Sequence, residues 1–292
     1  MKLLLKFNLV LLVLFATAIG ATGAISWKLL QNNAREEVYQ NAKLLIDGAS
    51  AVRDYTLKRI YPLLLTQVKY EFRPEMVSAF SALEVLRTLR AANEEYKQYL
   101  YREPALNPTN LENRAVDWEA DIISQFRSGA VKGPLSGERE TPSGRMLFVA
   151  KPLKASAGCL SCHDTAERAP ATMVAIYGPN NGFGWKQDQI IAAQVVQVPV
   201  AVAAARAETT FRVFMTSLAA VLVTLGVILN LLLWWMFIRP VTQISALADR
   251  ISLGEFDAPD FVAGGRDEIG TLAESLTRMR RSLVQAIKML GE

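Results

Sequence analysis

RMLFVAKPLKASAGCLSCH, residues 145–163, joins a strand candidate (Arg145–Leu153) to a Cys-Leu-Ser-Cys-His pentapeptide (Cys159–His163). QIIAAQVVQVPV, residues 189–200, follows as a second and clearer strand, rich in β-branched residues. The sequence before this stretch is helical in period. Residues 28–61 set Leu29, Leu30, Val38, Leu44, Leu45, Ala49 and Val52 at intervals near three and four, until Pro62 interrupts them. A second helical stretch runs from Pro74 to Arg102, with Phe80, Leu83, Leu86, Leu89 and Tyr96 on one face. Residues 104–110 are turn-rich, a short amphipathic helix spans Arg114 to Arg127, and 133–144 is dense in Gly, Pro, Ser and charge. Helices first and strands later, with the pentapeptide on a loop between two strands, predict an α+β domain.

The pentapeptide holds both cysteines and the only histidine of the 292-residue chain. Cys-x-x-Cys-His is the attachment sequence of c-type haem. Two thiols three positions apart each add across one vinyl group, and the imidazole that follows lies beneath the iron. The expectation is one covalently attached haem c per chain, held by Cys159 and Cys162, with His163 as proximal iron ligand. A structural zinc site wants four Cys or His ligands, and this chain has three. A thioredoxin-type dithiol leaves the histidine unexplained. With no second His and no third Cys, the sixth iron position falls to Met76, Met146, Met173, a Tyr, a Lys, water, or nothing.

Covalent haem c is made outside the bacterial cytoplasmic membrane, and two apolar segments are available to place the motif there. Phe7–Trp27 and Val213–Ile238 are free of charge and long enough to cross a ~30 Å hydrocarbon core as helices. The expected organisation is a first transmembrane helix (7–27), an exported domain (28–212), a second transmembrane helix (213–238) and a cytoplasmic tail (239–292). A cleaved signal peptide is the alternative for the first segment, although its apolar core exceeds the usual ~7–15 residues. Lys and Arg flank both sides of the spans, so charge does not orient the chain. The net charge of +4 is spread thinly, without a basic stripe, and gives no indication of nucleic-acid binding.

Three separated motifs resemble the haem-c-containing, PAS-like periplasmic sensor family. They are Ala51-Val52-Arg53-Asp54-Tyr55-Thr56, the run Asn107-Pro108-Thr109-Asn110 with Asn113-Arg114 and Asp117-Trp118-Glu119, and the stretch from Cys159 through Ala169-Pro170-Ala171 to Tyr177-Gly178-Pro179-Asn180-Asn181-Gly182-Phe183-Gly184-Trp185. The resemblance spans roughly residues 32–205. It implies a PAS-like antiparallel sheet with a long N-terminal helix around one haem. Phe183 and Trp185 are candidates to line the pocket, against ordinary core aromatics. Arg53 is a candidate partner for a haem propionate, against a solvated helix arginine. Gly178, Gly182 and Gly184 read as turn glycines, because no strand-to-helix junction surrounds them.

Beyond Arg239, Pro240 is followed by Val241, Ile244, Ala248 and Ile251. After a loop holding Gly254, Pro259, Gly264 and Gly265, Asp267-Glu268-Ile269-Gly270 opens a second series of Ile269, Leu272, Leu276, Met279, Leu283 and Leu290. Two short amphipathic helices cannot bury their seams alone, whereas two copies form a parallel four-helix bundle. This hairpin resembles a HAMP domain and implies a homodimer. The sequence holds no phosphoacceptor histidine and no catalytic output region, so no enzymatic activity is expected. A separate cytoplasmic kinase or chemotaxis-type output protein is the expected partner. The resulting expectation is a multi-pass inner-membrane sensor of redox state or of a small gaseous ligand at the haem. A membrane-anchored monohaem cytochrome for periplasmic electron transfer is the alternative. A dimeric scaffold with a structural haem is a third, blander reading.

Overall fold

The computed structural model describes residues 3–255, 257, 259 and 267–290, without the side chains of residues 288 and 290. The chain divides into two compact units, Trp27–Phe211 on one hand and Met1–Ser26 with Arg212–Glu292 on the other.

The elements run in order as α1 (Leu3–Tyr55), a π-helical turn (Thr56–Ile60), α2 (Tyr61–Leu64), α3 (Ser78–Ala92), β1 (Leu100–Arg102) and α4 (Asp117–Ser128). They continue as β2 (Leu135–Thr141), β3 (Gly144–Lys154), α5 (Ala157–His163), α6 (Ala171–Tyr177) and β4 (Ile190–Pro199). The four strands form one antiparallel sheet in the order β1-β4-β3-β2. The architecture is therefore α+β, as the sequence implies. Its details differ from the expectation at four places.

The second helical stretch stops at Ala92 rather than Arg102, because Asn93 turns extended (φ −136°, ψ 120°). The chain then lays Leu100–Arg102 along β4, pairing Tyr101 with Val196 and giving the backbone of β4 a second neighbour. The Gly- and charge-rich segment carries β2, an edge strand that hairpins onto β3 through Pro142 and Ser143. Its charged composition suits a strand with one wet face. Residues 157–163 form a helix, α5, where a loop was expected. Pro170 opens a further short helix, α6, that the periodicity does not reveal.

Both faces of the sheet are covered, which explains the nearly unbroken apolar run of β4. On one face Val149, Val196 and Val198 pack against Ala34, Val38, Ala42, Ile46 and Ala49 of α1 and Ala82 and Leu86 of α3. On the other, Ala150, Ala193 and Val195 meet Ile122, Ile123 and Phe126 of α4. The buried stripe of α1 is made largely of alanines, while Leu29 and Leu44, strong in the periodicity, are exposed. Small side chains permit the close approach of helix and sheet that large ones prevent.

The other unit contains two apolar stretches long enough to cross a membrane. They lie in the helical runs Leu3–Leu64 and Val200–Ser252, and their most apolar windows bury nothing in the chain itself. Within this unit the Nδ2 of Asn230 donates to Oδ1 of Asn8 at 2.8 Å and to the Gly226 carbonyl at 2.9 Å. Helix α7 (Val200–Leu233) passes through a second π-helical turn (Trp234–Ile238) into α8 (Arg239–Ser252), and α9 (Glu268–Leu290) follows. Ile244, Ile251 and Ala273 are buried between α8 and α9, with Leu247, Ala248, Ile269 and Leu276 packed around them. Asp267 caps α9 by accepting from the Gly270 N–H at 2.8 Å. The expected connector glycines Gly264 and Gly265 and the terminal Gly291 and Glu292 lie outside the described residues, as does the side chain of Leu290.

Candidate functional site

Cys159, Cys162 and His163 all lie on α5. Positions three and four apart on a helix share a face, so the two thiols and the imidazole are presented together. That face borders a cleft of about 260 Å³ whose walls include Arg53, Phe72, Met76, Glu103, Met173 and Trp185. Gly158 lets α5 approach the π-helical turn, since a β-carbon there would stand 3.0 Å from Cδ1 of Leu57. Ser161 fastens the same edge, its hydroxyl 2.6 Å from that of Tyr61.

The loop 178–185 folds back over the end of α5. The Gly184 N–H donates to the Asp164 carbonyl at 2.8 Å, and the Trp185 N–H to the His163 carbonyl at 3.1 Å. Gly178, Gly182 and Gly184 all have positive φ, so they are the turn glycines the sequence implies. The fold-back brings the Trp185 ring face to face with the His163 ring, centroids 3.9 Å apart and planes within 13°. It also sets the Gly182 carbonyl 2.7 Å from Nδ1 of His163. A carbonyl only accepts, so Nδ1 carries the proton and Nε2 keeps its lone pair. Burial pushes the imidazole pKa below its usual value, opposed by the bond to Gly182, which keeps the ring neutral and a competent metal ligand.

The cysteines are unpaired and half-buried. Burial raises the Cys162 thiol above its ordinary range; the Ser161 hydrogen bond opposes that, and Cys159 adds to it. A raised thiol is a poor match for a catalytic dithiol, which requires a depressed one. Among the described residues no group of three or more His, Cys, Asp or Glu side chains is placed to hold a metal ion by itself. What the site offers is two thiols, one bare imidazole nitrogen and a largely apolar cleft, a donor set that fits a haem group.

The other sequence candidates divide. Trp185 lines the cleft and stacks on His163. Phe183 does not line it and instead joins the apolar cluster of Val68, Phe72, Met76, Ala169 and Met173. Arg53 reaches the cleft, but its guanidinium is ion-paired with Glu103, whose side chain is only 7% exposed. Of the three methionines, Met76 and Met173 border the cleft. Met146 lies on β3 opposite Pro199, and it does not border the cleft.

Sequence reasoning missed Glu103. It accepts from Arg53 and from the Tyr101 hydroxyl, and that hydroxyl in turn accepts from Nε2 of Gln194 at 2.9 Å. Oε1 of Gln194 accepts from the Ser50 hydroxyl at 2.9 Å. An acidic residue before a proline in a turn-rich stretch carries no signal of burial. Only the pairing of β1 with β4 turns it inward.

A family model described as Tll0287 (Tll0287-like) matches residues 31–199, and a HAMP domain model matches residues 232–285. Among solved structures the chain is similar to the crystal structure of the cyanobacterial heme-protein Tll0287. The two are 15% identical with a TM-score of 0.43, over 56% of this chain and 95% of that one. No curated protein matches.

Proposed function

Because the chain belongs to the Tll0287-like family and carries a HAMP domain after it, we propose that it is a membrane-anchored haem sensor. In this reading the PAS-like domain is exported to the periplasm between two transmembrane helices and holds one haem c. The HAMP pair dimerises in the cytoplasm and addresses a separate kinase or chemotaxis-type output protein. The observation that carries the haem assignment is the shared cleft of Cys159, Cys162 and His163, with Nδ1 of the histidine committed to Gly182.

Each residue then has a task. Cys159 and Cys162 would hold the group through two thioethers, and His163, with Nδ1 committed to Gly182, would offer Nε2 as the iron ligand. Gly182 and Trp185 fix the plane of the imidazole, and Phe72, Met76 and Met173 exclude water from the cleft. The bound group supplies a one-electron redox centre and an iron position at which a small ligand can bind. Arg53 stands where it can meet a propionate while remaining paired with Glu103. β4 ends at Pro199 and α7 begins at Val200, so a strain in the sheet has a covalent route toward the second span. The HAMP domain favours sensing over electron carriage, since a carrier gives those helices no task.

The test is covalent attachment. A denaturing gel of membranes from cells competent in cytochrome c maturation, stained for haem peroxidase activity, should show a band near the chain mass of 32.3 kDa. The band should vanish on Cys162→Ala. A colourless wild-type band overturns the haem assignment.

A further inference from the structure

Resting on the haem reading above, we propose that Glu103 is a redox-linked proton acceptor, taking up one proton from solvent when the cleft gains one electron.

The geometry begins with a carboxyl group on the cleft wall, 7% exposed and ion-paired with a guanidinium that is itself 17% exposed. The titratable groups facing Glu103 are few: Arg53 from α1 and Tyr101 from β1 touch it. The same cleft is also lined by Tyr61, Arg87, Glu112, Cys159, Cys162, His163 and Tyr177. Burial raises its pKa, while the charge of Arg53 and the hydrogen bond from Tyr101 pull it back. One cation and one hydroxyl thus oppose the burial of Glu103, in surroundings where an added or removed charge is felt strongly.

Reduction removes one unit of positive charge from the cleft. The electron comes from an external one-electron reductant, and the proton from water reaching the exposed edge of Arg53. The carboxylate becomes a carboxylic acid, so the charge change is cancelled and no other bond is made or broken. The acid then has an O–H of its own to place, where before both oxygens only accepted. Tyr101 must answer that change, and its hydroxyl is joined through Gln194 of β4 to Ser50 of α1. Those are the strand and the helix whose chain continues toward the two apolar segments, so the protonation of Glu103 converts an electron into a rearrangement of hydrogen bonds between them.

The experiment is a redox titration of the detergent-solubilised holoprotein from about pH 5 to 9, with covalent haem measured separately on each sample by the peroxidase stain. In the wild type the reduction equilibrium should fall by up to tenfold per pH unit across one window, about 59 mV for a one-electron couple. Glu103→Gln should flatten that window. Tyr101→Phe, which removes a hydrogen bond favouring the charged form, should move it to higher pH. The reduced-minus-oxidised infrared difference spectrum should show a protonated-carboxyl band in the wild type that shifts in Tyr101→Phe, which separates Glu103 from a propionate should Glu103→Gln fail to fold. A pH-independent wild-type potential, a slope retained in Glu103→Gln (pointing to a propionate), or a window unmoved by Tyr101→Phe overturns the proposal while leaving the haem reading intact. A wild-type protein without covalent haem overturns both.

Discussion

A β-carbon added to Gly182 would stand 2.0 Å from Oγ1 of Thr109 and 2.9 Å from its Cα, so the loop that closes over α5 is pressed against the segment before α4 with no room for a side chain. The same glycine has φ +84° and lends its carbonyl to His163, while the Thr109 hydroxyl lies 3.4 Å from the same imidazole nitrogen. Gly182→Ala should therefore cost roughly 1–3 kcal/mol in backbone strain, and overpacking against Thr109 should add about 1–3 kcal/mol. The histidine should lose its fixed tautomer as the loop lifts. Thermal unfolding reads the first effect and the haem spectrum the second. A variant as stable as wild type with an unchanged spectrum would show that the loop does not set the imidazole.

The imidazole itself should be separable from attachment. His163→Ala is expected to retain haem through Cys159 and Cys162 but to lose the His-ligated absorption spectrum. Trp185→Ala, which removes only the stacked ring, should keep the ligand and broaden or shift its bands. Identical spectra for wild type and His163→Ala would assign the iron to another side chain.

Arg53→Leu tests the buried ion pair through pH. In that variant Glu103 loses the cation that favours its charge, so its folded pKa rises further above the unfolded value. A group with a raised folded pKa is no burden below the unfolded pKa, where both states hold the proton. Its stabilising share is lost as pH rises toward the folded pKa. The variant should thus be near wild-type stability around pH 4 and progressively weaker above it, by about 3–5 kcal/mol once the charge is forced. The double variant Arg53→Leu/Glu103→Leu should recover most of that loss. Melting temperatures of the solubilised protein across pH check both, and a penalty independent of pH would mean that Arg53 acts by packing alone.

In the HAMP pair, Ile244, Ile251 and Ala273 are buried within one chain, whereas Leu272, Met279 and Leu283 are exposed on α9. With Ile269 and Leu276 they make a 3-4-3-4 seam that a second copy would cover in the proposed dimer. Single cysteines at 272, 276, 279 and 283 should crosslink efficiently between chains, and those at 274 and 278 poorly. Leu276→Ala should weaken the dimer by about 2–5 kcal/mol. Equal crosslinking all round α9 would rule out the bundle.

Much of this was legible in the residues. Three chemically committed side chains in one pentapeptide announce a site whatever the fold around them, and β4 and the α8/α9 seams follow from periodicity alone. Glu103 and β2 were not legible, because both sit in segments of polar and turn-forming composition. Glu103 acquires its role from the pairing of β1 with β4 far away in sequence, while β2 forms a tight hairpin with β3 that its charged residues disguise. Arg53 stands out in the sequence as a candidate for a propionate, but its ion pair with Glu103 does not, because an ion pair across 50 residues leaves no local trace. On α1, Val38, Ala49, Leu30, Leu45 and Val52 face the core as the periodicity implies, but Leu29 and Leu44 are exposed. The buried Ala34 and Ala42 carry no signal, since periodicity ranks residues by size whereas close packing against a sheet selects for smallness.

The π-helical turns at Thr56–Ile60 and Trp234–Ile238 each wind one residue more than an α-helical turn. Each is therefore an angular offset built into the chain. At 3.6 residues per turn, one residue corresponds to about 100° of rotation about the helix axis. Rewinding residues 234–238 as α-helix with none removed would swing the Ile244–Ile251 seam by about that angle relative to the apolar span before it, whereas deleting one of them would leave the seam nearly where it is. The turn is thus a gear tooth. Unwinding it leaves the side chains of α8 and α9 unchanged while re-aiming the face they present, so substitutions that force residues 234–238 into an α-helical winding should, in the proposed sensor, fix the output in one state irrespective of what happens at His163.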